Sequence, residues 1–137
     1  MSTFKSLALL IFAAAVAVVA PVIAKKTVSS EDKVLTGLQE SARQINQEGP
    51  RLIGNGNRLD GAIAGPGRTI TYQHTNLEFF ASNIDKTAFE TAYAAAVRSQ
   101  ACSLKKLLSQ DVTMIYSYKD RNGALIGNVA VNKTHCQ

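Results

Sequence analysis

Two cysteines near the C-terminus constrain this 137-residue sequence more than any other feature. Cys102 lies at the end of a predicted helix, and Cys136 is the penultimate residue. Between them, residues 120–123 read Asp-Arg-Asn-Gly, and an Asn-Gly pair supplies the positive φ angles of a tight hairpin turn. A disulfide between the cysteines would close a loop of about 35 residues, which the chain-entropy treatment values at roughly 3 to 4 kcal/mol.

Hydrophobic periodicity predicts two helices and two hairpins in the rest of the chain. The first helix starts at Ser29 or Ser30, one hairpin spans residues 58–64 and 68–78, the second helix follows Asn83 or Asp85, and the second hairpin surrounds residues 120–123. We therefore predict an α+β fold in the order α-β-β-α-β-β. Its antiparallel sheet has about four strands and is covered on one face by the two helices.

Residues 1–24 have the pattern of a secretory signal peptide. Lys5 precedes an apolar run over residues 7–19, and small residues end the segment at Ala24. Because a membrane span needs roughly 20 apolar residues, we predict cleavage after Ala24 rather than a retained anchor. Residues 25–137 then form one domain, periplasmic or secreted and without stable membrane insertion. The alternative is an uncleaved, membrane-tethered domain.

The export prediction also decides how to interpret the positive charge. Loss of Lys5 lowers the formal net charge from +5 to +4. The basic residues are dispersed along the sequence, and an exported protein meets little nucleic acid. We predict a solvated surface and no nucleic-acid partner, while weak attraction to anionic lipid, wall polymer or an acidic protein stays open. The same compartment favours a disulfide over a metal pair or a reactive thiol for the two cysteines.

Catalytic and cofactor patterns are missing from the sequence. His74 and His135 lack the spacing of metal ligands, and a disulfide would remove Cys136 as a ligand. The sequence contains no nucleophile elbow, no P-loop and no dinucleotide-binding glycine fingerprint. We therefore predict a protein that is not an enzyme and that uses no metal and no cofactor.

Aromatic and basic residues provide the candidate contact sites. Phe79 and Phe80 are adjacent, so both cannot face the same core, and one is expected at the surface. Lys119 and Arg121 lie at the tip of the second hairpin, where exposed side chains often reach a partner. These four residues are the predicted partner contact.

Aromatic residues on the strands themselves are expected to pack under the helices. Tyr72, Tyr116 and Tyr118 fall at alternating positions, which is typical of a sheet face that packs on a core. A cleft between sheet and helix at Tyr72 and His74 is the alternative. It would suit a small hydrolase or a ligand-binding module.

Several local motifs together carry a resemblance to other proteins. They are the leader, the N-terminal helix, Arg58-Leu59-Asp60, Arg68-Thr69-Ile70-Thr71-Tyr72, Cys102 at a helix end, the stretch from Asp111 to Asp120, Gly123 and Cys136. In these features the chain resembles a loose set of small exported bacterial proteins of unknown function. The resemblance implies the fold and the single disulfide, and it transfers no active site.

The sequence thus favours a non-enzymatic binding protein of the periplasm or the extracellular space. Its expected partner is another envelope or secreted protein, recognised by surface complementarity. An accessory factor of an envelope machine and an inhibitor or immunity-type protein both fit this hypothesis.

Overall fold

A computed structural model describes residues 30–54 and 56–136, with side chains from Lys33 onward. The predicted leader, residues 1–24, lies outside the described residues. In chain order the elements are α1 (Ser30–Glu48), β1 (Arg51–Gly54), β2 (Asn57–Ala64), β3 (Thr69–Asn76), α2 (Lys86–Ala101), α3 (Lys105–Leu108), β4 (Thr113–Lys119) and β5 (Leu125–Val131). Two short 3-10 turns cover Ala81–Asn83 and Lys133–Cys136.

The strands form one sheet in the order β1-β2-β3-β4-β5. Both predicted hairpins are present, as β2 with β3 and as β4 with β5, and each is antiparallel. The α+β class is confirmed, but the predicted four-stranded, fully antiparallel sheet and the predicted order α-β-β-α-β-β are wrong in detail, because β1 precedes the first hairpin and the short α3 follows α2. The sheet has five described strands, and its central pair, β3 and β4, runs parallel.

The parallel pair follows from the connection between the two hairpins. After β3 the chain runs back along the sheet as α2 and then enters β4, so β4 points in the same direction as β3. The additional strand β1 is separated from β2 by a glycine-rich turn. Gly54 and Gly56 have φ angles of 102° and 71°, which lets the chain reverse sharply and pair β1 with β2.

The core lies between one face of the sheet and the helices. Alternation places Met114, Tyr116 and Tyr118 on this face, and all three are buried, as predicted for the two tyrosines. α1 covers β2 and part of β3, whereas α2 covers β5. The helices contribute a set of buried apolar side chains, namely Leu38, Ala42, Ile45, Phe89, Val97 and Ala101. The other sheet face carries the alternate residues, among them Ile63, Thr71, Ile115 and Ala130, which lie in one row across four strands.

Side chains from both long helices reach the backbone at the sides of the sheet. The Asn46 amide of α1 donates to the Ala62 carbonyl (3.0 Å) and accepts from the Ala62 N–H (2.8 Å). On the far side, Glu90 of α2 accepts a hydrogen bond from the Asn128 N–H of β5 (2.9 Å). Backbone groups that another strand would otherwise pair with are thereby occupied at these positions.

Glycines in the sheet allow these two approaches. A Cβ atom at Gly61 would lie 2.6 Å from Oδ1 of Asn46, and one at Gly127 would lie 2.9 Å from Cγ of Glu90. Both distances are shorter than van der Waals contact. The helices therefore sit where they do because the strands lack side chains at these two points.

The predicted disulfide joins Cys102 to Cys136, with their Cα atoms 5.4 Å apart. It links the C-cap of α2 to the C-terminal 3-10 turn. Between Cys102 and β4, α3 inserts Leu107 and Leu108 into the core. The covalent bond thus closes the same end of the sheet that α3 packs against.

We expect the double variant C102A/C136A to fold with a free energy of unfolding lower by about 3 kcal/mol, because the bond restricts the unfolded chain over a long loop. Urea unfolding of the purified, oxidised protein and of the variant measures this difference. Wild-type protein kept in reductant is the matched control and should unfold at the same urea concentration as the variant. A difference below about 1 kcal/mol would show that packing alone holds this end.

Candidate functional site

The four predicted partner-contact residues come together at one end of the sheet. Phe79 and Phe80 belong to the loop between β3 and α2, whereas Lys119 ends β4 and Arg121 lies in the β4–β5 turn. We call Phe79, Phe80, Lys119 and Arg121 the tip surface. The carboxyl ends of β3 and β4 meet there because these strands are parallel, with Thr75 opposite Lys119.

The buried carboxylate of Asp120 fastens the two loops of the tip surface together. Its Oδ2 accepts a hydrogen bond from the Ala81 N–H (2.9 Å), which belongs to the β3–α2 loop. Its Oδ1 accepts from the N–H groups of Asn122 (2.8 Å) and Ala124 (3.0 Å) in its own turn. These hydrogen bonds, led by the one from Ala81, hold the pKa of Asp120 below its ordinary value.

A buried asparagine fixes the other end of the β3–α2 loop. Oδ1 of Asn76 accepts hydrogen bonds from the N–H groups of Glu78 (2.9 Å) and Phe79 (2.8 Å). Its Nδ2 donates to Oδ1 of Asn57 on β2 (2.9 Å). The backbone that carries Phe79 and Phe80 is therefore anchored on both sides by buried polar side chains.

The tip surface presents both apolar and cationic groups to solvent. Phe79 is 48% exposed, and Leu125, the register partner of Lys119, is 47% exposed. The Arg121 guanidinium lies 5.0 Å from the centre of the Phe80 ring, which is the range of a cation–π contact. Lys119 is exposed beside them. Such a surface suits a partner with an apolar side chain next to an acidic group.

Tyr72 and His74 are placed differently from the four residues of the tip surface. They lie on the helix-covered face, 4% and 1% exposed, so their polar atoms do not face solvent. The His74 ring stacks on Tyr118 at 4.8 Å, and Tyr72 lies 5.1 Å from Tyr116 between ring centres. Tyr118 is in turn contacted by aromatic rings of α2. A hydrolase acting through His74 would require a movement that uncovers this cluster.

Burial keeps His74 neutral at physiological pH. Among the described residues, neither ring nitrogen has a hydrogen-bond partner, and the same is true of the Tyr72 hydroxyl. Burial lowers the pKa of His74 to about 4, and nearby backbone of Ser117 and Tyr72 and the Asp60 carboxylate offset only part of the effect. Protonation of His74 is therefore unfavourable in the folded protein.

A second surface feature is a groove of about 580 Å³ between α1 and β2. Small apolar residues form its floor, and polar residues of α1 form its rim; the lining residues are Gln39, Ala42, Arg43, Asn46, Gln47, Ala62, Ile63 and Ala64. Inside the groove, the Asn46 amide is hydrogen-bonded to the Ala62 carbonyl. At its rim, Arg43 forms an ion pair with Glu40. No sequence pattern predicts this groove.

The described residues form neither a metal cluster nor a membrane-spanning helix. Over residues 30–54 and 56–136, no three histidine, cysteine or acidic side chains cluster in a way that could hold a metal ion. Within the same part of the chain, each helix is too short or too polar to span a bilayer.

No sequence pattern points directly to the anchors of the tip surface. Asp120 is predicted only as part of a turn, and Asn76 only as part of the strand over residues 68–78. Their roles depend on Ala81 and Asn57, which are distant in sequence. A signal does exist in retrospect for Asp120, because Asp at the first position of a turn commonly accepts hydrogen bonds from the following backbone.

Comparison with known proteins identifies the fold. The chain matches no protein-family profile and no curated protein sequence. Among solved structures it is similar to a protein of Pseudomonas aeruginosa that is inferred to be secreted, with a TM-score of 0.67, 13% identity, and coverage of 82% of this chain and 100% of the other.

Two further similar structures are pilotins. The pilotin EpsS of the Vibrio vulnificus type 2 secretion system gives a TM-score of 0.61 at 11% identity, covering 78% of this chain and 94% of that one. The type II secretion system pilotin AspS of Vibrio cholerae gives 0.57 at 20% identity, covering 77% and 94%. At these identities the similarity establishes a shared fold.

Removal of the Asp120 carboxylate should loosen the tip surface without unfolding the sheet. In D120A we expect faster amide hydrogen exchange at Ala81, Asn122 and Ala124, since each loses its acceptor. Amides of the β3–β4 ladder should keep their protection. D85A is the control, because Asp85 caps α2 and its loss should affect only the first turn of that helix. Unchanged exchange at Ala81 in D120A would contradict the anchoring role.

His74 should make the protein less stable in acid. Its pKa is about 4 in the folded state against 6.5 when unperturbed, so the unfolded state binds more protons between these values. Its contribution to the free energy of unfolding should therefore fall by about 3 kcal/mol as the pH drops from 7 to 4. H74F removes the titrating ring and should lose this dependence, whereas H135F, at an exposed site, should retain it. Urea midpoints across this pH range provide the measurement.

Proposed function

We propose that this protein is a non-enzymatic accessory factor of a bacterial cell-envelope machine and acts by binding a protein component of that machine through the tip surface. The observation that carries the proposal is the construction of the tip surface. Two loops from distant parts of the sequence are joined by buried Asp120, buried Asn76 fixes the loop that carries Phe79, and Phe79 is exposed beside two cations. The fold shared with two type II secretion pilotins supports this class of function.

The rigidity of the tip surface favours binding energetically. Ordering a loop on association costs free energy, and a loop that is already held by its backbone avoids much of that cost. Aromatic and arginine side chains in a fixed position are the groups that most often dominate binding free energies. Phe79 and Arg121 fit that role, with Lys119 and Leu125 completing the surface around them.

The use of the polar side chains argues against catalysis by the same residues. Asp120 and Glu90 accept hydrogen bonds from backbone N–H groups, and Asp60 is paired with Arg58. His74 is buried and neutral. These acids and this base serve to hold the fold, which leaves recognition as the chemistry the tip surface can perform.

Site-specific photo-crosslinking in the host cell tests the proposal. A photoreactive phenylalanine analogue at position 79 should form one discrete adduct with an envelope protein, identified by mass spectrometry. The same analogue at Thr91, an exposed position on α2, should form none. K119E/R121E should abolish the adduct at position 79, because it reverses the charge that the partner recognises. Equal adducts from positions 79 and 91, or an adduct that survives K119E/R121E, would contradict the proposal.

The identified partner allows a quantitative test with purified proteins. F79A should weaken binding by roughly thirty-fold, the effect of losing one central aromatic anchor. I63A removes an equally exposed apolar side chain in the α1–β2 groove and serves as the matched control. If I63A weakens binding and F79A does not, the groove rather than the tip surface is the binding site.

A further inference from the structure

The end of the molecule opposite the tip surface collects basic side chains from four separate segments. We call this set the basic end; its members are Arg68, Arg98, Lys105, Lys106 and Lys133. Arg68 precedes β3, Arg98 lies in the last turn of α2, both neighbouring lysines are on α3, and Lys133 follows β5. These segments are separate in sequence and come together only in the folded domain.

Named contacts show that these segments meet at one place. Arg68 donates to the Gln110 carbonyl (2.7 Å), just before β4, and Lys133 pairs with Asp111 (2.6 Å). The disulfide brings the end of α2 to the C-terminal turn. Lys105 and Lys106 are exposed, and no ion pair among the described residues includes either of them.

Acidic side chains are distributed in the opposite way. Of the acids with described side chains, Asp111 alone lies at the basic end, which leaves a formal charge of +4 from five cations and one anion. Glu78, Asp85 and Asp120 lie at or near the tip surface instead. A field of one sign at one end of a small domain favours an extended anionic partner.

The N-terminal segment joins the domain at the basic end. Leu35, near the start of α1, lies beside Gly65 in the β2–β3 turn, which is next to Arg68. The chain upstream of α1 therefore enters the domain at the basic end.

We propose that the basic end binds the head groups of anionic phospholipids and turns this end of the domain toward a membrane. Exposed lysines on α3 without an ion pair among the described residues suit a diffuse anionic surface, and the buried side chains of Leu107 and Leu108 hold this helix on the core. A membrane fits better than an acidic protein because the cations are spread over four separate segments, which matches a diffuse anionic surface rather than one acidic group. The inference concerns the end opposite the tip surface and does not depend on the proposed function.

Co-sedimentation with vesicles tests this inference. The protein is purified after export from a bacterium that expresses the full 137-residue chain. It should bind vesicles of phosphatidylglycerol and phosphatidylcholine, fail to bind pure phosphatidylcholine, and be released at high salt. K105Q/K106Q should lower the partition coefficient by about thirty-fold, because each basic residue near such a surface contributes about fivefold.

A charge-matched variant at the other end separates a specific surface from overall charge. K119Q/R121Q removes the same charge from the tip surface and should change vesicle binding less than twofold. Equal losses in both variants would overturn the assignment to the basic end. Salt-resistant binding to phosphatidylcholine would show that an apolar segment inserts into the bilayer instead. Absence of binding to anionic vesicles would overturn the proposal and indicate that the basic end binds an acidic protein. In each case the crosslinking at position 79 tests the tip surface separately, so its result does not depend on vesicle binding.

Discussion

The parallel pairing of β3 with β4 is the constraint on which the rest of the structure depends. It joins the two hairpins into one sheet, and it requires the chain to return along α2 between them. Because both strands run the same way, their carboxyl ends meet at the tip surface and their amino ends meet at the basic end. Antiparallel pairing of β3 with β4 would have placed Lys119 and the β3–α2 loop at opposite ends of the sheet.

Polar side chains in this fold serve mainly to occupy backbone groups that the sheet and loops leave unpaired. Asn46 and Glu90 do so at the sides of the sheet, whereas Asn76 and Asp120 do so at the tip surface. Their structural use explains how a domain of modest size keeps its loops ordered, since buried backbone groups without partners are costly.

Local features of the fold were predictable from the sequence, and long-range ones were not. The alternation at Met114, Tyr116 and Tyr118 gave the buried face correctly, because side-chain direction in a strand depends only on its period of two. The order of strands depends on which hairpin edges meet, and neither hairpin encodes that in its own residues. For the same reason the sequence predicted Phe79, Phe80, Lys119 and Arg121 as contact residues, but not the hydrogen bonds from Asp120 that bring their two loops together.

The two ends of the sheet carry different surfaces, the tip surface at one end and the basic end at the other. β3 and β4 are seven to eight residues long, so the tip surface and the basic end are separated by roughly 25 Å of hydrogen-bonded strand. A sheet held by helices on one face, by side-chain caps at its sides and by a disulfide at one end bends little over that distance. If the basic end rests on a membrane, Phe79 and Arg121 point away from it and hold a bound protein at a fixed height. An accessory factor of an envelope machine would require that geometry, whereas a freely diffusing inhibitor would gain nothing from it.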